Sequence, residues 1–276
     1  MTVTISATDS AIRAPGDGAL ATFGEDADRS ASIRQYTIGQ IGALWAAAAV
    51  PMAVLAWIGV PWLSDHLGGR EPVVEALLTC FTAGLLWMLA LTLFLVRREQ
   101  GGLAWPRVRD ALRLRAPRAP KSGRVGGKVW WWLLPFTVLS VAINALPIDP
   151  TGPMPRDLPK FLDTDRAERF FHGNWTWFAM AAIVSLLAPW VEELFFRGLL
   201  LPRMRGVCGR ADFVVNGAIF TAYHLHQPWS MPATLLDGIF AQAYPARRFQ
   251  SIWIGLVTHT VPSFAIIGFL FYLVIK

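Results

Sequence analysis

The sequence predicts an all-α fold, a polytopic transmembrane helical bundle of about seven to eight membrane segments, and three observations predict it. Hydrophobic residues make up 54% of the chain and charged residues only 16%, with a mean hydropathy of +0.42, outside the range of soluble domains. Apolar stretches recur at the length of about 20 residues that a hydrocarbon core of about 30 Å demands. Lys and Arg fall between these stretches with a strong bias to one side.

The first 40 residues are polar and rich in Ala, Ser, Thr and Asp, with no basic start followed at once by an apolar run and a cleavage site. Residues 1–38 are therefore expected to be a disordered cytoplasmic tail, and 39–276 a single transmembrane domain. Full-length apolar runs cover 41–63, 73–96, 129–148 and 175–201. Shorter or interrupted ones cover 213–225 and 231–244, and a closing span covers 252–275. Trp130, Trp131 and Trp132 read as an interfacial aromatic belt. The segment 149–174, of mixed charge and with Pro150, Pro153, Pro155 and Pro159, reads as a linker or as a cap over the outer face.

Segment 97–128 carries ten Lys and Arg, whereas 64–72 carries only Arg70, which fixes the N-terminus on the cytoplasmic side. Carried through the chain, this assignment puts eighteen of the 25 Lys and Arg inside and six outside, and leaves Arg197 within the membrane. The expected setting is multi-pass in a plasma (inner) membrane, with the lipid bilayer as the first partner. The net charge of +6 needs no nucleic-acid partner. The basic loop reads as solvated, with a surface helix around 108–114 touching acidic head groups as the alternative. Cys80 lies in an apolar span and Cys208 in a cytoplasmic loop, so no disulfide framework is expected.

Charge within the apolar regions is uneven. The first three spans are chemically silent, while from Trp175 onward every span carries an ionisable group, which places the working helices in 175–276. Glu192, Glu193 and Arg197 sit in an otherwise apolar helix, where each charge costs about 2.5–3.5 kcal/mol on insertion scales and is normally paired, cavity-lining or functional. At i,i+4 spacing Glu193 and Arg197 can pair, while Glu192 points about 100° away, free to act on another helix. Pro189 removes a backbone hydrogen bond and exposes the Ser185 carbonyl, bending the span just before the acidic pair.

In the next span Phe220 and His224 share a face. His226 lies about 200° from that face and, next to Gln227-Pro228, is expected at the interface. In the closing span His259 and Ser263 stack at i,i+4, with Pro262 between them. One carboxylate, two imidazoles and a hydroxyl on three helices match what peptide hydrolysis requires, a base for water and donors for a developing oxyanion. Asp237, also within the membrane, is expected to partner Arg247, Arg248 or a backbone amide.

These residues resemble the CAAX-protease and bacteriocin-processing family of glutamic-type intramembrane peptidases, whose motifs read Glu-Glu-x-x-x-Arg, Phe-x-x-x-His and His-x-x-x-Asn. Glu192-Glu193…Arg197, Phe220…His224 and His259…Ser263 correspond in order, over Trp175 to about Gly268. The resemblance implies that Glu192 and His224 hold and activate a water, that Glu193 and Arg197 order the helix, and that His259 donates to the oxyanion. It departs at Ser263, where the family has Asn. The implied substrate is a membrane-anchored or membrane-inserted protein or peptide, and no cofactor is implied.

Two other readings share these residues. Glu192, His224 and His259 could ligate zinc with an open fourth position, making a metalloprotease. A membrane scaffold or transporter would explain the spans, though not why charge gathers in the last hundred residues.

Overall fold

The computed structural model describes residues 33–276, and among them every named element is helical, apart from a lone β-bridge between Arg118 and Val125. Seven helices organise the rest. They are α1 (Ile38–Val54), α2 (Pro72–Gln100), α3 (Leu133–Asn144), α4 (Trp175–Glu192), α5 (Asp212–Tyr223), α6 (Met231–Asp237) and α7 (Trp253–Ile275). The tail expected over 1–38 lies outside the described residues as far as 32. Of its last residues, Tyr36 is buried and hydrogen-bonded to Glu99, and Thr37 caps α1 through a reciprocal bond with Gln40.

By length and composition four helical runs are apolar enough to cross a membrane: Ile38–Ser64, Pro72–Gln100, Trp175–His226 and Trp253–Ile275. The count of seven to eight segments is not confirmed by these four. Of the expected spans, 129–148 divides between a 3-10 helix, Gly127–Trp132, and the 12-residue α3, and 231–244 divides between α6 and a π segment. Trp175–His226, at 52 residues, is broken at Gly209, whose φ of 54° and ψ of −124° end the helical path. Beyond that break α5 lies against the first limb, and Asn216 Nδ2 donates to the Phe196 carbonyl at 2.8 Å.

Three π-helical segments interrupt these runs, Leu55–Gly59, Glu193–Leu200 and Gly238–Ala243. Each ends two residues before a proline, namely Pro61, Pro202 and Pro245. A proline lacks the N–H for the i−4 carbonyl and its ring presses on that carbonyl. Widening the preceding turn relieves the clash without breaking the rod, so the prolines account for where the π segments fall.

The main apolar core lies where α1 and α2 meet the π segment Glu193–Leu200, with Met52, Leu77, Met88, Phe195, Phe196 and Leu199 fully buried. A second core joins the first turns of α2 to the last turns of α7 through Phe161, Phe170 and Phe171 of segment 149–174. That segment is a cap. Its two short helices, Leu158–Leu162 and Asp165–Phe171, start at the capping side chains of Asp157 and Thr164. It is tied down by a bidentate Arg166–Glu71 pair at 2.9 and 2.6 Å, by Arg156 donating to the Ala56 carbonyl, and by the Ala233 amide donating to Asp149.

The basic loop 97–128 departs from the solvated reading. It forms a short helix, Trp105–Ala111, buries Ala111 and Leu112, and bonds to the turn before α7 through Ser251 Oγ on the Arg115 carbonyl. Within it Asp110 lies between Arg115 and Arg109 at 2.7 and 2.9 Å. The hydrogen bond from Arg115, helped by that from Arg109, holds its carboxyl down at about 2.

Candidate active site

Glu192 closes α4 and Glu193 opens the π segment, so the acidic pair sits where the helix changes pitch. Glu193 and Arg197 have no exposure at all. Arg197 Nη1 lies 3.4 Å from Glu193 Oε1, and its Nη2 donates to Gln242 Oε1 at 2.5 Å and to the Gly238 carbonyl at 3.2 Å. The guanidinium also stands over the Phe220 ring, 3.9 Å from its centroid. Gln242 Nε2 in turn donates to Asp237 Oδ2 at 2.8 Å. A chain of polar contacts thus runs Glu193–Arg197–Gln242–Asp237 through an apolar interior.

This corrects the expectation for Asp237, whose hydrogen-bond partner is Gln242; Arg247 pairs instead with Asp212 at 2.5 Å. Gln242 belongs to none of the three motifs and carries no charge, so neither motif nor charge singles it out in the sequence. The signal was present, since an amide in the apolar run 239–244 needs a partner just as a charge does.

His259 of α7 faces both acids. Its Nδ1 is 3.6 Å from Glu193 Oε1 and its Nε2 is 3.9 Å from Glu192 Oε2. Gly255, one turn earlier, permits the approach, because a Cβ there would stand 3.0 Å from Glu193 Oε2 and 3.1 Å from the Gln242 carbonyl. The His259 side chain is 23% exposed against 7% for that of Glu192.

His224 sits in a 3-10 turn, His224–His226, that follows α5. Its Nδ1 bonds the Phe220 carbonyl at 3.0 Å, which in the neutral ring leaves Nε2 as the free acceptor. The rings of His224 and His259 lie 4.7 and 6.1 Å from that of Phe220. His226 departs from the interfacial reading. It is 4% exposed and stacks on His224 with centroids 5.2 Å apart, because the tighter turn replaces the α-helical spacing on which the 200° separation was reckoned.

Ser263 does not reach toward His259. Its hydroxyl donates at 2.7 Å to the Ser185 carbonyl, the acceptor that Pro189 strips of its helical partner. The serine therefore clasps α7 to the bend in α4. Ser263→Ala should leave that carbonyl unpaired and lower stability by about 1–2 kcal/mol, read in a denaturant titration in detergent; unchanged stability would contradict the clasp.

Above Glu192 lies an apolar cavity of about 260 Å³, bounded by Val74, Leu78 and Phe81 of α2, by Ala181 and Val184 of α4, and by Phe161 of the cap. Glu192 and Ala181 both line it, eleven residues apart on α4, so it extends along roughly 16 Å of that helix at 1.5 Å per residue. Its walls can take a hydrocarbon chain, and its polar lining includes one carboxylate, that of Glu192. Among the described residues no three His, Cys, Asp or Glu side chains are grouped to hold a metal ion.

The geometry therefore gathers Glu192, Glu193, Arg197 and His259 directly, sets His224 beside them through Phe220, and assigns Ser263 to the bend. No curated protein and no solved structure matches the chain. Residues 174–265, a third of the chain, match the family model of Rce1-like type II CAAX prenyl endopeptidases, and all three motifs fall inside the match. Through this segment the chain is similar to the Rce1-like type II CAAX prenyl endopeptidases.

Proposed function

We propose that the protein is a glutamic-type intramembrane endopeptidase that hydrolyses a peptide bond near the lipid-modified end of a membrane-anchored protein. The observation that carries this reading is Glu192, a buried carboxylate at one end of an apolar cavity, 3.9 Å from the imidazole of a separate helix. The cavity suits the lipid and Glu192 suits the bond. The charge bias between spans supports an N-terminus on the cytoplasmic side of a plasma (inner) membrane.

In this mechanism a water donates to Glu192 and to His224 Nε2, and Glu192 takes its proton as the oxygen adds to the scissile carbonyl carbon. The carbonyl oxygen becomes an anion beside His259, which donates to it. Collapse of the adduct breaks the C–N bond, and the proton held by Glu192 passes to the leaving amine. Glu193 and Arg197, joined through Gln242 to Asp237, hold the acidic end of α4 in place.

The test compares membrane fractions of cells making the wild type or Glu192→Ala by mass spectrometry of protein C-termini. One or more lipid-modified proteins should be shortened only with the wild type. Identical termini in both would favour a scaffold or transporter.

A further inference from the structure

A developing oxyanion needs more than one donor, and Ser263 has spent its hydroxyl on Ser185. The cavity above Glu192 has four other polar side chains in its lining, Ser185, Tyr223, His226 and Gln227. Three are committed. Ser185 Oγ donates to the Ala181 carbonyl at 2.8 Å, His226 Nδ1 bonds the Tyr223 carbonyl at 3.1 Å, and the Gln227 amide bonds His226 Nε2 at 3.2 Å. The Tyr223 hydroxyl, on a side chain only 1% exposed, has no hydrogen-bond partner among the described residues.

A buried hydroxyl without a partner is costly, and native structures keep one chiefly where something else satisfies it. The Tyr223 ring is fixed from three sides, against Phe196 at 5.5 Å and against His224 and His226 at 5.3 Å each. The Tyr223 side chain is thus held rigidly, and Tyr223 and Glu192 line the same cavity.

We infer that Tyr223 is a catalytic residue, whose hydroxyl donates to the carbonyl oxygen of the scissile bond as that oxygen becomes an anion, in the place that Ser263 leaves open. No proton leaves the tyrosine; it contributes a hydrogen bond that strengthens toward the transition state. The assignment rests on the endopeptidase reading, and the two fail separately.

The experiment uses the full chain in proteoliposomes with a quenched peptide ending in a farnesylated CAAX box. Tyr223→Phe should lower kcat about 100-fold with KM little changed. Its melting temperature should hold or rise, because the variant removes an unsatisfied polar group and nothing else. A farnesylated peptide with a tetrahedral phosphinate at the scissile bond should bind the variant about 100-fold more weakly than the wild type, while the plain amide peptide binds both alike. Wild-type kcat in Tyr223→Phe, a raised KM alone, or a lowered melting temperature would each overturn the tyrosine assignment and leave the endopeptidase reading standing. A wild type that neither cleaves the peptide nor differs from Glu192→Ala would overturn both.

Discussion

Replacing Glu192 by Gln should lower kcat for the farnesylated peptide by at least about 1,000-fold, within the range for removal of a general base. The amide keeps the size and one acceptor of the carboxylate but cannot take the proton of a water. Among the described residues the Glu192 side chain has no hydrogen bond, and His259 Nε2 stands 3.9 Å from its Oε2. The variant should therefore express, insert and melt as the wild type does, and peptide affinity should survive because the cavity walls are untouched. Activity within about tenfold of wild type would mean that another group activates the water.

Arg197→Met should act on the fold itself. Arg197 has no exposure, and its removal strands Glu193, equally buried, together with the amide oxygen of Gln242. Breaking a buried pair from one side costs about 3–5 kcal/mol, a large share of the 5–15 kcal/mol that stabilises a typical domain. Little folded protein should be recovered in detergent. The double variant Glu193→Leu, Arg197→Met removes both charges and should regain most of that loss, since a well-packed apolar pair often replaces a buried ion pair at no cost. It should nevertheless stay weakly active, because His259 loses the carboxylate 3.6 Å from its Nδ1. A stable, fully active Arg197→Met would show that the polar chain to Asp237 is dispensable.

The sequence made the working region legible through the cost of charge in an apolar setting. Glu192, Glu193, Arg197, His224 and His259 stood out as expensive residues in 175–276, and helical spacing paired Glu193 with Arg197 correctly. Pro189 also announced the free Ser185 carbonyl, although its acceptance of the Ser263 hydroxyl required knowing that α7 crosses α4 at the bend. That contact spans 78 residues, and no local pattern encodes it.

The rest was lost where the α-helical period was extended beyond its domain. His226 was misplaced because the 3-10 turn after Tyr223 replaced the 3.6-residue spacing. The count of seven to eight segments is not confirmed: four helical runs are long and apolar enough to cross a membrane, and 129–148 and 231–244 are built from shorter helices joined to 3-10 and π segments. Pro61, Pro202 and Pro245 each follow a π segment by two residues, a change of pitch that the 3.6-residue period does not encode.

The central claim is that the acid of α4 and the imidazole of α7 act on the same reacting atoms. A double-mutant cycle on kcat tests it most directly, using Glu192→Gln, His259→Gln and the pair in proteoliposomes with the farnesylated peptide. If the two side chains work as a unit, His259→Gln should cost about 100-fold or more in the wild type and almost nothing once Glu192 is gone. Penalties that multiply in the double variant would mean that the two residues act independently, and would contradict the account.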